Sequence, residues 1–312
     1  MKKAVAEELA PSSSTNYTRS WRRFISFCES NDLLHLPAKA DTVALYFGHL
    51  ATFNSYSSIL NARAAIRHFH VLKFPKYLPP TDFEKVHKVV AGLRRSLKPT
   101  PKPKRGFTPQ KLDECLSYFL SGGLENCSLL DLRNAAFFSL LYNVSARFSD
   151  ICGMKLGHVA TSGDTLVVGF GKLKNDKSNS SFSSLVAERF SNPFSCYKLI
   201  TRLKERRLSD GASKLSFLFP LMKNTRVLGS HVSYGAMRTV FTKMLSSLDF
   251  AEEDVKSLGL HSFRIGAISV ALESGKVSRE EMQQAGRWKS SEMIEHYNRP
   301  SKSSRLNFSK NI

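Results

Sequence analysis

Apolar residues recur at helical spacing through the first hundred positions. In "TNYTRSWRRFISFC", residues 15–28, Tyr17, Trp21, Phe24, Ile25 and Cys28 share one helical face, with Arg19, Arg22 and Arg23 mostly off it. A second amphipathic run follows Asp41 and carries Val43, Tyr46, Phe47 and Leu50; a third carries Ile59, Ile66 and Phe69. A fourth helix is predicted to open with a capping box from Thr81 to Glu84, ahead of Val86, Val90 and Leu93. Four short helices with a cationic exposed face predict a small bundle over residues 1–96.

The pattern then breaks. "LKPTPKPKRGF", residues 97–107, holds three prolines and four cations, which disfavour helix and strand and repel one another, so an extended basic linker is expected there. Thr108 and Pro109 read as a helix start with proline at the first helical position. Residues 129–144 form a strongly apolar helix. A turn at Ser162-Gly163-Asp164, a strand over Leu166–Phe170, a polar loop and a shorter strand near 181–186 predict a small sheet. Asn192 and Pro193 are expected to start another helix, with helices dominating to the end. The class is therefore mainly α with a small β-sheet, in two domains, 1–96 and 108–300, followed by a tail over 301–312.

Length allows two cores of ordinary size. No apolar run approaches a membrane span, and the start "MKKAVAEELAPSSST" lacks an apolar core of the kind a secretory signal needs. Cys28, Cys115, Cys127, Cys152 and Cys196 form no CxxC pair, so neither a zinc site nor a disulfide framework is expected, and reduced intracellular thiols are. Charge changes the picture most. Lys plus Arg number 46 against 26 acidic residues, a net +20, and residues 1–105 carry 18 basic against 7 acidic residues, a net +11. Cations spread over both parts fit a long polyanion such as double-stranded DNA. Arg19, Arg22, Arg23, Arg63, Arg67, Arg94, Arg95, Lys102, Lys104 and Arg105 are the candidate contacts.

Four segments of the second domain carry side chains suited to phosphate. "NVSARFSDICGMKL" puts Arg147 at the start of a short helix with Asp150 one turn on, where it orients Arg147 or caps the helix. "FGKLKNDKSN" puts Lys174, or Lys172, in the hairpin. "GLHSFRIGAISVALESG" places His261 and Arg264 on one helix face. "AGRWKSSEMIEHYNRP" adds Trp288 and, nine residues later, Tyr297.

The ordered set Arg…Lys…His-x-x-Arg…Trp…Tyr resembles the tyrosine recombinases, the phage integrase family. The layout and C-terminal motifs are most similar to its Cre-type members, and "KND" is similar to a motif of transposon-encoded relatives. The resemblance implies an N-terminal helical core-binding (SAM-like) domain and an α+β catalytic domain. It implies site-specific DNA recombination or integration through a 3′-phosphotyrosyl intermediate, with Tyr297 as nucleophile. The chemistry suits the residues. A phenol with a pKa of about 10 needs neighbouring cations to favour its anion. Arg147 and Arg264 can clamp the nonbridging oxygens of the scissile phosphate, and Lys174 is the candidate general acid for the leaving 5′-oxygen. His261 can orient phosphate or shuttle the phenol proton, and Trp288 can donate its indole N–H while packing the helix that bears Tyr297.

No carboxylate cluster has the spacing of a metal-dependent nuclease, so no metal or other cofactor is expected. The alternatives from other classes are a catalytically silent DNA-binding protein and a type IB topoisomerase. Partners implied are duplex DNA, clamped by the two domains, and further copies of the chain: a monomer in free solution and a homo-tetramer on paired sites. Leu306, Phe308 and Ile312 give the tail an apolar edge that could dock on a neighbouring protomer. No membrane is expected, and the location is the nucleus in a eukaryotic host or the cytoplasm in a bacterial or phage one.

Overall fold

The computed structural model describes residues 11–97, 105–170, 182–189, 192–223, 225–295 and Tyr297. The chain divides into two units, Met1–Pro101 and Lys102–Ile312.

The first unit packs the predicted helices. Helix α1 (Pro11–Glu29) buries Trp21, Phe24 and Cys28 against α2 (Ala40–Ala51), which contributes Val43, Tyr46, Phe47 and Leu50, and α3 (Tyr56–Lys73), which contributes Ile59 and Ile66. Trp21 stacks on Phe69 with ring centroids 4.9 Å apart. His70 ties the connection down: its Nε2 accepts from Ala38 N at 3.0 Å, so its Nδ1–H donates to Ile66 O at 2.8 Å. Helix α4 (Glu84–Ser96) buries Val86 and Val90. The capping box expected at its start does not form. Pro80 begins a separate 3₁₀ turn, Pro80–Asp82, in which the Thr81 hydroxyl donates to Asp82 Oδ1 at 3.0 Å, and Phe83, which has no capping atom, takes the N-cap position.

The second unit is built around α6 (Leu129–Asn143), whose residues are buried without interruption from Leu132 to Leu141. Helix α5 (Pro109–Phe119) precedes it, with Thr108 Oγ1 accepting from Lys111 N as N-cap. After the short helix α7 (Phe148–Ile151) come three antiparallel strands in the order β1-β2-β3: Val159–Ser162, Thr165–Phe170 and Phe182–Ala187. Strand β1 escaped the sequence pattern because only Val159 of its four residues is buried.

Helix α8 (Cys196–Ser209) starts later than expected. Asn192 Oδ1 takes the Phe194 N–H at 2.8 Å, which makes residues 192–194 a turn, and Ser195 Oγ caps the helix through Lys198 N. A second hairpin, β4 (Pro220–Lys223) with β5 (Arg226–His231), interrupts the stretch read as helical; β5 is mostly exposed and offers no apolar alternation. Helices α9 (Tyr234–Ser247), α10 (Glu252–Ser257), α11 (Leu260–Ser274), α12 (Arg279–Gly286) and α13 (Glu292–Glu295) complete the unit. Phe107 crosses α11 so closely that its N–H donates to Ser262 O at 2.9 Å, and a Cβ on Gly266 would lie 1.8 Å from Phe107 O. Its ring, with Phe138, Phe241 and Phe263, forms an aromatic core beneath α11.

Candidate active site

The Arg147 turn is shaped by how α6 ends. Ala146 N donates to Leu141 O and Ser145 N to Tyr142 O, both at 3.0 Å, with Ser145 left-handed at φ 46°. This is a Schellman termination, at a residue where a side chain costs about 1–2 kcal/mol. The turn delivers Arg147 as N-cap residue of α7, and Asp150 Oδ2 accepts the Arg147 N–H at 2.9 Å. Asp150 therefore caps the helix. The Arg147 guanidinium is half-buried and makes no hydrogen bond among the described residues.

Arg264, on α11, is fully buried. Its Nε donates to Tyr297 Oη at 3.3 Å, its Nη2 to Gly286 O at 2.6 Å, and its Nη1 to Ser145 O. One guanidinium thus joins the Arg147 turn, the end of α12 and Tyr297. One turn earlier on the same face, His261 Nε2 lies 3.3 Å from Tyr297 Oη.

Helix α12 ends as α6 does. Trp288 N donates to Gln283 O at 3.1 Å and Arg287 N to Gln284 O at 2.9 Å, with Arg287 left-handed at φ 53°. Gly286 is required here, because a Cβ would fall 2.5 Å from the Trp288 ring. Trp288 packs on the Tyr297 ring, centroids 5.1 Å apart, and under the Arg264 guanidinium at 4.9 Å. Its Nε1 is buried with no hydrogen-bond partner among the described residues. Tyr297 lies in a turn beyond the end of α13 rather than within a helix, and is 7% exposed.

Burial pushes the Arg264 guanidinium below the usual arginine range; Tyr297 opposes that shift, Arg147 adds to it and Asp150 opposes it. Arg287 is lowered to about 10 for the same first reason, with Asp150 opposing and Arg264 and Arg147 adding. The three cations are close enough to disfavour one another's charged forms.

Of the residues singled out from sequence, Arg147, His261, Arg264, Trp288 and Tyr297 come together. Lys172, Lys174, Lys102, Lys104 and the tail residues Leu306, Phe308 and Ile312 lie outside the described residues. Arg19, Arg22, Arg23, Arg94 and Arg95 are exposed. Arg63 is hydrogen-bonded to His87 at 2.7 Å, while Arg67 pairs with Asp82 at 3.0 Å and Arg105 with Asp254 at 2.6 Å. Sequence reasoning missed Ser145, whose carbonyl serves two arginines, and Arg287, which pairs with Asp150 at 3.5 Å. Neither left-handed turn is announced by a glycine or asparagine. Among the described residues, no group of three or more His, Cys, Asp or Glu side chains could hold a metal ion, and no helix is long and apolar enough to cross a membrane.

Residues 120–304 match the model of the phage integrase family. No curated protein matches the chain. Among solved structures, the Tn1549 transposon integrase in complex with transposon right-end DNA superposes with a TM-score of 0.62 at 14% identity, covering 99% of this chain and 97% of that one. A lambda integrase dimer bound to a core site gives 0.61 at 13%, covering 96% and 74%. The XerH site-specific recombinase bound to its palindromic difH substrate gives 0.58 at 14%, covering 88% and 70%. At these identities the likeness establishes a shared fold.

Proposed function

The chain belongs to the phage integrase family, the tyrosine recombinases, which are DNA strand transferases, and from that premise we propose that it recombines DNA at specific sites through a 3′-phosphotyrosyl link to Tyr297. The observation that carries the reading is the Tyr297 hydroxyl, 3.3 Å from both Arg264 Nε and His261 Nε2. A guanidinium can only donate, so the phenol oxygen accepts from Arg264, and the phenol proton is free to pass to an unprotonated His261 Nε2. The oxygen is then a phenolate next to a cation.

Arg147 brings a guanidinium with no hydrogen bond among the described residues, and Trp288 a buried indole N–H with no acceptor among them. Arg264 has more N–H groups than its protein partners use. These donors suit the charge that grows on the nonbridging oxygens as phosphorus is attacked. Lys174, or Lys172, protonates the 5′-oxygen as it leaves. The link to tyrosine keeps the energy of the broken bond, so a free 5′-hydroxyl can reverse the step on another strand without ATP. Both units contact the DNA, across the basic segment 97–107, and the active assembly is a tetramer on paired sites formed from monomers.

A suicide-substrate trap tests the reading. The full chain is incubated with a pool of nicked duplexes of randomised sequence, and covalent adducts are separated in denaturant. Recovery of an adduct that maps to Tyr297 and enriches one site is expected; binding without any adduct would favour a catalytically silent DNA-binding protein.

A further inference from the structure

Arg287 is buried to within 1% of its side-chain surface, and the backbone beneath it is left-handed at φ 53°. An arginine has no local reason to sit there: the conformation favours glycine or asparagine, and a buried cation loses hydration. What it gains is a set of partners from three parts of the fold. Nη1 donates to Val144 O at 3.1 Å, and Nη2 donates to Ser145 O at 3.2 Å and pairs with Asp150 Oδ2 at 3.5 Å. These belong to the Arg147 turn. Nη1 also reaches Ser184 Oγ on β3 at 3.5 Å, and the guanidinium lies over the Phe170 ring on β2, 4.3 Å from its centroid.

Phe170 and Phe182 are cross-strand partners, the last of the β2–β3 ladder. Lys172 and Lys174 follow Phe170 by two and four residues. Arg287 itself adjoins Trp288 and precedes Tyr297 by ten. One side chain therefore touches β2 and β3, the strands on either side of the segment that carries the lysines, the turn that presents Arg147, and, through its own backbone, the segment leading to Tyr297. Asp150 supplies its counter-charge, so the Arg147 guanidinium keeps its own charge for phosphate.

We propose that Arg287 is a positioning residue for this reaction, tying strands β2 and β3, whose connection carries Lys172 and Lys174, to the Arg147 turn and to the segment that leads to Tyr297. The inference rests on the reading of a hairpin lysine as general acid. In the step concerned, Tyr297 Oη forms a bond to phosphorus as the bond from phosphorus to the 5′-oxygen breaks. The electron pair of the broken bond goes to the 5′-oxygen, which takes a proton from the lysine ammonium. Loosening Arg287 misplaces the proton donor more than Tyr297 or Arg147, because Arg264 and His261 still hold Tyr297, and Arg264 Nη1 and the backbone bonds that end α6 still hold the Arg147 turn.

The test uses a leaving group that needs no proton. Wild-type protein first recovers its site from the randomised nicked pool by covalent capture, and that duplex is made with oxygen or with sulfur at the 5′-bridging position. A thiol has a pKa of about 8.5 and departs as thiolate without help. Full-length wild type, Arg287→Lys, Arg287→Met with Asp150→Asn, Lys172→Ala and Lys174→Ala are compared, the paired substitution removing both buried charges together so that neither is left uncompensated.

With oxygen, both Arg287 variants are expected to cleave about 10²-fold more slowly; with sulfur they should return to within about threefold of wild type, as should one lysine variant, because only the proton-transfer contribution has been removed. A sulfur-restored lysine variant alongside Arg287 variants that stay slow would overturn the positioning role. If sulfur restores neither lysine variant, the general-acid reading falls, and this inference with it.

Discussion

Arg264 Nε donates to the hydroxyl of Tyr297 across 3.3 Å, from a side chain with no exposed surface. The same guanidinium holds the carbonyls of Ser145 and Gly286, so Tyr297, the proposed nucleophile, shares a donor with the turns carrying Arg147 and Trp288. Chemistry and local stability should therefore share atoms at Arg264.

Tyr297→Phe should abolish covalent adducts while DNA affinity in a gel-shift assay stays nearly unchanged, because one hydroxyl adds little to a large phosphate interface. Arg264 Nε loses a partner in a buried site, so thermal denaturation should report a loss of about 1–3 kcal/mol. An adduct that survives in the Phe variant would move the nucleophile to another residue.

Arg147→Lys and Arg264→Lys should each slow cleavage by about 10²-fold or more, since a lysine keeps charge but cannot present a planar fork. Their stabilities should differ. The Arg147 guanidinium makes no hydrogen bond among the described residues, so its replacement should leave the melting curve in place. Arg264→Lys should cost about 1–3 kcal/mol for each of its acceptors left unsatisfied. Wild-type cleavage by either variant, measured in single turnover, would remove that arginine from the clamp.

Gly266 and Gly92 should respond to alanine with opposite signs. A Cβ on Gly266 meets Phe107 O at 1.8 Å, a backbone atom of a residue whose own N–H donates to Ser262 O on α11, whereas a Cβ on Gly92, in α4, meets nothing within 4 Å. Gly266→Ala should destabilise by about 1–3 kcal/mol or more through overpacking, and Gly92→Ala should stabilise by about 0.5–1 kcal/mol through helix propensity. Equal melting shifts in the two variants would contradict the close approach of Phe107.

The helices of the first unit were legible because each buries one stripe at helical spacing, as Trp21, Phe24 and Cys28 do. The proposed constellation, of which the structure describes Arg147, His261, Arg264, Trp288 and Tyr297, was legible for another reason: phosphate chemistry admits few side chains, and their order along the chain is distinctive. What stayed hidden was held by atoms without a residue-type signature. Ser145 and Gly286 act through carbonyl oxygens, and the left-handed turns at Ser145 and Arg287 lack the glycine that marks such turns. The β4–β5 hairpin was read as helical because neither strand carries an alternating buried face. The helix start at Asn192 failed for a local reason, since its side chain closes a turn on Phe194 instead of capping.

The cations of the first unit differ in how freely they can meet DNA. Arg22 and Arg23 are exposed on α1, off the stripe that buries Trp21 and Phe24, and no ion pair engages them among the described residues. Arg67 is also exposed, yet it already pairs with Asp82, and Arg63 is hydrogen-bonded to His87. A paired arginine brings less net charge to a phosphate and must give up its partner, so fewer counterions leave the DNA when it binds. The combined substitution Arg22→Ala and Arg23→Ala should lower the slope of log affinity against log salt by about 2, one for each phosphate no longer neutralised. Arg67→Ala should lower it by less than about 1. Neither should move the melting temperature much, since exposed side chains and surface pairs contribute about 0–1 kcal/mol. Binding titrations across a salt series decide the matter. A slope unchanged by the α1 substitutions, or changed more by Arg67→Ala, would assign the DNA face of this unit to α3 instead.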